Sequence, residues 1–147
     1  MKLHIAYGSQ TGNAKNLAHT IGGQFEDLGI EVEVLDMGES DPEEIHQMSH
    51  LLIVTSTYGD GEAPDNASEW LSYLKFSDDD IKFPNLSYAV LGLGDRYYPH
   101  FCQCARDFDE LLSKASAKPL ISRLECDLYY EEQYPEWVQG LIQVFNS

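Results

Sequence analysis

Three short stretches of this chain concentrate residue types from which a small-molecule site can be built. The first, Gly8-Ser9-Gln10-Thr11-Gly12-Asn13-Ala14, is a hydroxyl- and glycine-rich turn that runs directly into an apolar helical pattern. Such a turn suits a phosphate, because a helix N-terminus presents unpaired N–H groups and a positive dipole end, and Ser9 and Thr11 add hydroxyl donors. Ordinary helix capping by Ser or Thr would explain the same residues. Two other phosphate motifs do not fit. Gly8 and Gly12 are four apart with no lysine directly after Gly12, which rules out the nucleotide-binding G-x-x-x-x-G-K-[ST] loop, and no G-x-G-x-x-G occurs.

The second stretch, Ser56-Thr57-Tyr58-Gly59-Asp60-Gly61-Glu62-Ala63-Pro64-Asp65, sets an aromatic ring beside two glycines at the end of an apolar segment. Tyr58 offers a stacking face, and Gly59 permits backbone conformations, a peptide flip included, that a Cβ would hinder. Asp65 is read as a cap for the helix that follows. The third, from Leu91 through Gly92, Leu93, Gly94, Asp95, Arg96, Tyr97, Tyr98, Pro99 and His100 to Phe101, again places glycines at a segment end and aromatics just after. His100 has no second metal-type residue at matching spacing and is read as a surface or helix-start residue. Two aromatic loops beside a phosphate-type loop would hold a planar cofactor with a phosphate tail.

Something must bring the three loops together. Apolar segments of strand length recur at Leu3–Tyr7, Val32–Leu35, Leu51–Thr55, Tyr88–Leu91 and Leu120–Leu124, each separated by enough chain for a helix. Ala14, Leu17, Ala18, Ile21, Phe25 and Leu28 trace one face of a first helix ending at Gly29. Further helical faces follow around Trp70, Leu71 and Leu74, around Phe101, Ala105, Phe108, Leu111 and Leu112, and around Trp137, Val138, Leu141, Ile142 and Phe145. Five strands alternating with about five helices predict a doubly wound parallel α/β sheet in three layers, for which two strand orders are plausible. In either order a ligand belongs at the carboxyl ends of the strands, where the loops after strands one, three and four meet.

Size and charge narrow the reading further. With 147 residues and no composition break, residues 1–147 read as one domain. A net charge of −16, from 25 acids against nine bases, argues against nucleic acid and anionic membranes and favours basic partners. No apolar run approaches the roughly 18 residues of a membrane span, and no signal-peptide core follows Met1, so a cytoplasmic protein is expected. Cys102, Cys104 and Cys126 form no C-x-x-C and are read as packing residues. The N-x-S sequences at Asn66 and Asn85 are expected to be inert.

In their order and spacing, Y-G-S-Q-T-G-N-A, S-T-Y-G-D-G-E-A-P-D-N-A and L-G-L-G-D-R-Y-Y-P-H-F resemble the FMN domain of the diflavin reductases, such as the sulfite reductase flavoprotein and microsomal cytochrome reductase, and the short free-standing flavodoxins of that branch. The resemblance spans essentially the whole chain and implies strand order 2-1-3-4-5. It implies that Ser9, Gln10, Thr11, Gly12, Asn13 and Ala14 hold the FMN phosphate. Tyr58 and Tyr98 would flank the isoalloxazine ring, and the Gly59 carbonyl would meet flavin N5. Ser56, Thr57, Asp60 and Gly61 of the second loop join the implied cofactor site, as do Leu93, Gly94, Asp95, Tyr97, Phe101 and Cys102 of the third. Asp127 matches an acidic residue that the family carries near the flavin after the fifth strand, and Tyr129 or Tyr130 could reach the site in its place. The fifth strand shows no long interruption, which fits the short-chain form.

The function so implied is a monomeric, low-potential electron carrier. It would receive electrons from a separate NAD(P)H-dependent flavodoxin reductase, since no NADPH- or FAD-binding portion follows Ser147, and pass them singly to an acceptor with a basic docking surface. The acids Asp60, Glu62, Asp65 and Asp95 would disfavour added negative charge on the ring. The alternative is a two-electron flavin-dependent quinone or nitro reductase, with Tyr97 as the available proton donor. A receiver module of the same architecture would need an acidic pair after strand one and an Asp after strand three, where Tyr7-Gly8 and Thr55-Ser56-Thr57 stand.

Overall fold

A computed structural model describes residues 2–9, 12–57, 63–76, 81–97 and 100–146. Strands β1 (Lys2–Gly8), β2 (Glu31–Asp36), β3 (His50–Ser56) and β4 (Ser87–Leu93) run parallel, with β1 between β2 and β3 and β4 beyond β3. Two short pieces, β5 (Lys118–Pro119) and β6 (Leu124–Cys126), share the fifth position, both parallel to β4. The order β2-β1-β3-β4-β5 is the 2-1-3-4-5 winding, which places the switch point between β1 and β3.

Burial follows from that order. Every residue of β3 from Leu51 to Ser56 is buried, as is β4 from Tyr88 to Leu93, because helices cover both faces of a parallel sheet. Leu3, Ile5 and Tyr7 point to the face shared by α1 (Asn13–Glu26) and α4 (Tyr130–Phe145). Ala6, Leu51, Ile53, Tyr88 and Val90 point to the opposite face, with α2 (Ser68–Phe76) and α3 (Gln103–Lys114). The period-two alternation of each strand thus divides its side chains between two cores.

Three expectations need correction. No α-helix joins β2 to β3; instead two 3-10 turns cover Met37–Glu39 and Pro42–Gln47. Asp36 and Asp41 each accept a backbone N–H two residues on, from Gly38 at 2.8 Å and Glu43 at 3.0 Å, and these local bonds compete with α-helical pairing. The expected strand Leu120–Leu124 is broken. The ladder to β4 runs on to the Leu120 N–H, which donates to the Tyr88 carbonyl at 2.7 Å, and the Ser122 carbonyl then accepts the Trp137 indole N–H at 2.8 Å, while Leu120, Ile121 and Leu124 still pack on the α1–α4 core. Leu28, placed by periodicity on the buried face of α1, lies beyond the helix end and is exposed; the chain turns there at Gly29, whose φ is +83°.

Candidate functional site

The sheet register brings the loop origins level. Gly8 pairs with Thr55, Thr55 with Gly92, Ser56 with Leu93, and Leu93 with Cys126, so β1, β3, β4 and β6 end along one line. Two of the glycines there are required by helix approach. A Cβ on Gly8 would lie 2.8 Å from the Ala67 Cβ, and one on Gly92 would lie 2.4 Å from the Ala105 Cβ. Small residues at strand ends therefore let the chain after β3 and helix α3 close against the sheet edge.

The first loop is held from its neighbours. The Ser9 N–H donates to Asn66 Oδ1 at 2.9 Å, and Asn66 Nδ2 donates to Asp36 Oδ1 at 3.0 Å, a relay from the end of β2 to the start of the loop. The Ser9 hydroxyl oxygen accepts the Gly12 N–H at 2.9 Å, which leaves the hydroxyl proton for another acceptor. Gly12 occupies the N-cap of α1 with φ +91°, a left-handed conformation that favours glycine, and no described residue stands within 4 Å of where its Cβ would be. The first turn of α1 contains Asn13, buried Ala14 and Lys15 and no acidic residue. Gly12 has no side chain to cap the helix. Among the described residues, the Ser9 hydroxyl, the helix N–H groups and a first turn without carboxylates form a donor set suited to an anion, so they fit a phosphate.

The second and third loops are tied to each other. Thr57 N–H donates to the Leu93 carbonyl at 3.0 Å, and Thr57 Oγ1 accepts the Cys104 N–H at 2.9 Å at the start of α3. Ser56 is buried, its Oγ 3.4 Å from the Gly8 carbonyl. Gly94 N–H donates to the Cys126 carbonyl at 2.8 Å, and a Cβ on Gly94 would press on Cys102 and Phe101 at 3.1–3.2 Å. Asp95 Oδ1 accepts the Tyr97 N–H at 3.0 Å, which folds the loop back on itself. Leu93 is buried, Phe101 half-buried, and Tyr97 is 93 % exposed.

The thiols lie beneath these loops. Cys102, the N-cap of α3, takes the left-handed conformation at φ 54°, and its Sγ lies 3.6 Å from the Cys126 carbonyl oxygen. Burial pushes the Cys102, Cys104 and Cys126 thiols up to about 12, so they act as packing groups rather than nucleophiles. Asp127, next after β6, is largely buried. It pairs with Arg96 Nε through Oδ2 at 3.0 Å, accepts the Tyr129 N–H through Oδ1 at 3.0 Å, and donates its own N–H to Gln133 Oε1. Tyr129 is mainly exposed, and Tyr130 begins α4 against the core.

Several sequence-derived candidates lie outside the described residues: Gln10, Thr11, Tyr58, Gly59, Asp60, Gly61, Glu62 and Tyr98. Asp65 is not the cap: Pro64 holds that position, and Asp65 is the first residue of a 3-10 turn, Asp65–Ala67, preceding α2. Sequence reasoning missed Asp36, Asn66, Arg96 and Gln133. Asn66 carried only a glycosylation pattern, and no spacing rule links it to Ser9 57 positions away. Among the described residues no group of three or more His, Cys, Asp or Glu is arranged to hold a metal, and no helix is long and apolar enough to cross a membrane.

Comparison with known proteins agrees with this geometry. A family model described as "Flavodoxin" matches residues 5–137. The chain is similar to the sulfite reductase [NADPH] flavoprotein alpha-component of Photobacterium profundum, 44 % identical over 136 residues, which are 92 % of this chain and 22 % of that one. The component of the same name from Bacillus subtilis is 40 % identical over 143 residues, 97 % of this chain and 24 % of the relative. The chain thus spans less than a quarter of the length of these relatives. Among solved structures it resembles a Streptococcus pneumonia TIGR4 flavodoxin (28 % identity, TM-score 0.82, covering 98 % of this chain and 94 % of that one). It also resembles oxidised Flavodoxin 2 from Bacillus cereus (26 % identity, TM-score 0.85, covering 97 % and 99 %).

Proposed function

This chain belongs to the flavodoxin family, and from that premise we propose that it binds FMN at the carboxyl edge of the sheet and carries electrons one at a time between a reductase and an acceptor protein. The observation that carries the reading is the convergence of the three loops at one edge, cross-linked by the Ser9–Asn66, Thr57–Leu93 and Gly94–Cys126 hydrogen bonds beside an α1 N-terminus without carboxylates.

The flavin would supply redox chemistry that accepts electrons singly or in pairs. The chain's task is to hold it and to bias its charge. Ser9, Gly12 and the first N–H groups of α1, with Gln10, Thr11, Asn13 and Ala14, would take the phosphate without a neutralising base. Tyr58 and Tyr98 would flank the ring, with the Gly59 carbonyl as the acceptor at ring N5. The chain around Ser56, Thr57, Asp60, Gly61, Leu93, Gly94, Phe101 and Cys102 would keep water from the ring's buried side. Asp95 would place negative charge near it and disfavour a second electron, with Asp127 beside it paired to Arg96. The family and the names of its relatives support an FMN electron carrier. The donor is proposed as an NAD(P)H-dependent flavodoxin reductase and the acceptor as a protein with a basic surface, which the charge of −16 would attract.

Titration of the cofactor-free chain with FMN tests this reading. One equivalent of FMN is expected to bind with a shift of the flavin absorbance bands. Riboflavin, which lacks the phosphate, should bind at least tenfold more weakly, as the loss of about 1.4 kcal/mol or more of charge-assisted hydrogen bonding requires. Failure to take up FMN would sink the reading.

A further inference from the structure

Arg96 lies in the third loop, and neither the fold nor the flavin reading gives it a task. Its Nε lies 3.0 Å from Asp127 Oδ2, and the guanidinium lies 5.9 Å from the Phe101 ring centroid, within cation–π range. The partner carboxylate is fixed from three sides. Its side chain is only 18 % exposed, its second oxygen accepts the Tyr129 N–H, and its residue's own N–H is anchored on Gln133 of α4. A 63 % exposed arginine therefore docks onto an acid anchored by backbone contacts. The pair bridges the loop after β4 and the turn after β6, beside the Gly94–Cys126 backbone bond that joins the same two strand ends.

We propose that Arg96 is a positioning residue: through Asp127 it pins the start of the third loop, next to Gly94 and Asp95, against the β6 turn and withholds one carboxylate charge from the cofactor, so that it sets the potential of the second electron. The inference rests on the flavin reading above. An exposed ion pair adds little to folding stability, and its effect belongs on the charge felt at the site. Asp95 and Asp127 both lie on loops leading from the strand ends, and a phosphate and a doubly reduced ring would add further negative charge there. Without Arg96 the Asp127 carboxylate would act on the ring uncompensated. Without Asp127 the guanidinium would do so. The two losses must therefore move the potential in opposite directions, whereas loss of a purely structural contact would move both alike.

The test is a redox titration of the FMN complexes of the unmodified chain, Arg96→Gln, Asp127→Asn, the double variant and Arg96→Lys, together with FMN affinity in the oxidised state. Arg96→Gln is expected to weaken retention of the fully reduced cofactor relative to the preceding state about tenfold, which lowers the second one-electron potential by about 59 mV. Asp127→Asn should raise that potential, the double variant should return close to the unmodified value, and Arg96→Lys should stay near it because the charge is kept. Oxidised-state affinity should fall only a few-fold in Arg96→Gln. Potentials that do not move, or that move in one direction in both single variants, overturn the role of Arg96 while the flavin reading stands. An unmodified chain that takes up no FMN overturns both.

Discussion

Gly92 and Gly12 are both glycines at the site for different reasons, and substitution separates them from a third. A methyl group on Gly92 would meet the Ala105 Cβ at 2.4 Å, so Gly92→Ala must push α3 from the sheet and is expected to cost about 1–3 kcal/mol. Gly12→Ala meets no neighbour but must adopt φ +91°, at a cost of about 1–2 kcal/mol in the loop proposed to hold phosphate. Gly23, inside α1 with nothing nearby and no positive φ, should gain about 0.5–1 kcal/mol on conversion to Ala. Urea unfolding of the three variants checks the order. At this scale the sequence showed the glycines, hydroxyls and aromatics of the loops, because their chemistry is unusual in itself. It did not show the Asp36–Asn66–Ser9 relay or the Arg96–Asp127 pair, whose members are ordinary polar residues made into partners by the winding of the sheet. Nor did it show that Cys102 adopts a left-handed conformation, since cysteine carries no local signal for it.

Among the elements, β1, β3 and β4 were legible because strands buried on both faces are near-continuous apolar runs. The fifth strand was not. Its apolar residues do reach the core, but past Leu120 the chain leaves the ladder and the Ser122 carbonyl takes the Trp137 indole N–H before β6 begins. The β2–β3 connection was misread for a similar reason, since Asx turns at Asp36 and Asp41 outcompete helical pairing over a short span. The α3–β6 contact is braced by charges: Glu125 takes Arg106 at 2.8 Å and Arg123 at 2.9 Å, while Arg123 also reaches Asp109, which accepts the Tyr88 hydroxyl proton. The hydrogen bond from Arg106 is the main reason the Glu125 carboxyl is held below its ordinary range.

Two strand histidines add a pH dependence. Burial lowers His4 on β1, whose Nδ1 is buried without a partner among the described residues while Nε2 faces Glu33 at 3.4 Å, and burial also lowers His50, packed on Phe145 at the start of β3. Both bind protons less readily folded than unfolded. As pH falls through their ordinary value of 6.5 the unfolded chain protonates first and stability drops, and Glu125 adds a further loss below its unfolded value of 4.5. Urea midpoints between pH 7.5 and 5.5, a window of about one unit either side of a free histidine, should fall more in the unmodified chain than in a His4→Gln/His50→Gln variant. Equal slopes would contradict the assignment.

At the scale of the molecule, a single parallel sheet of order 2-1-3-4-5 carries two cores and sets four strand ends level at one edge. That alignment sets the origins of three separated loops side by side, the basis of the proposed site. On the proposed reading the charge of −16 would act in two ways, by drawing basic partners and by opposing the accumulation of negative charge on a bound cofactor. If the site exists to pass single electrons, the two reduction steps of the flavin must be driven apart. Anaerobic reductive titration of the FMN complex, followed by absorbance and paramagnetic resonance, measures that separation directly. The account predicts a flavin radical that accumulates to most of the protein near one electron added, with the second step at clearly lower potential. Passage from oxidised to fully reduced flavin in one two-electron step, with no radical at any point, would contradict it.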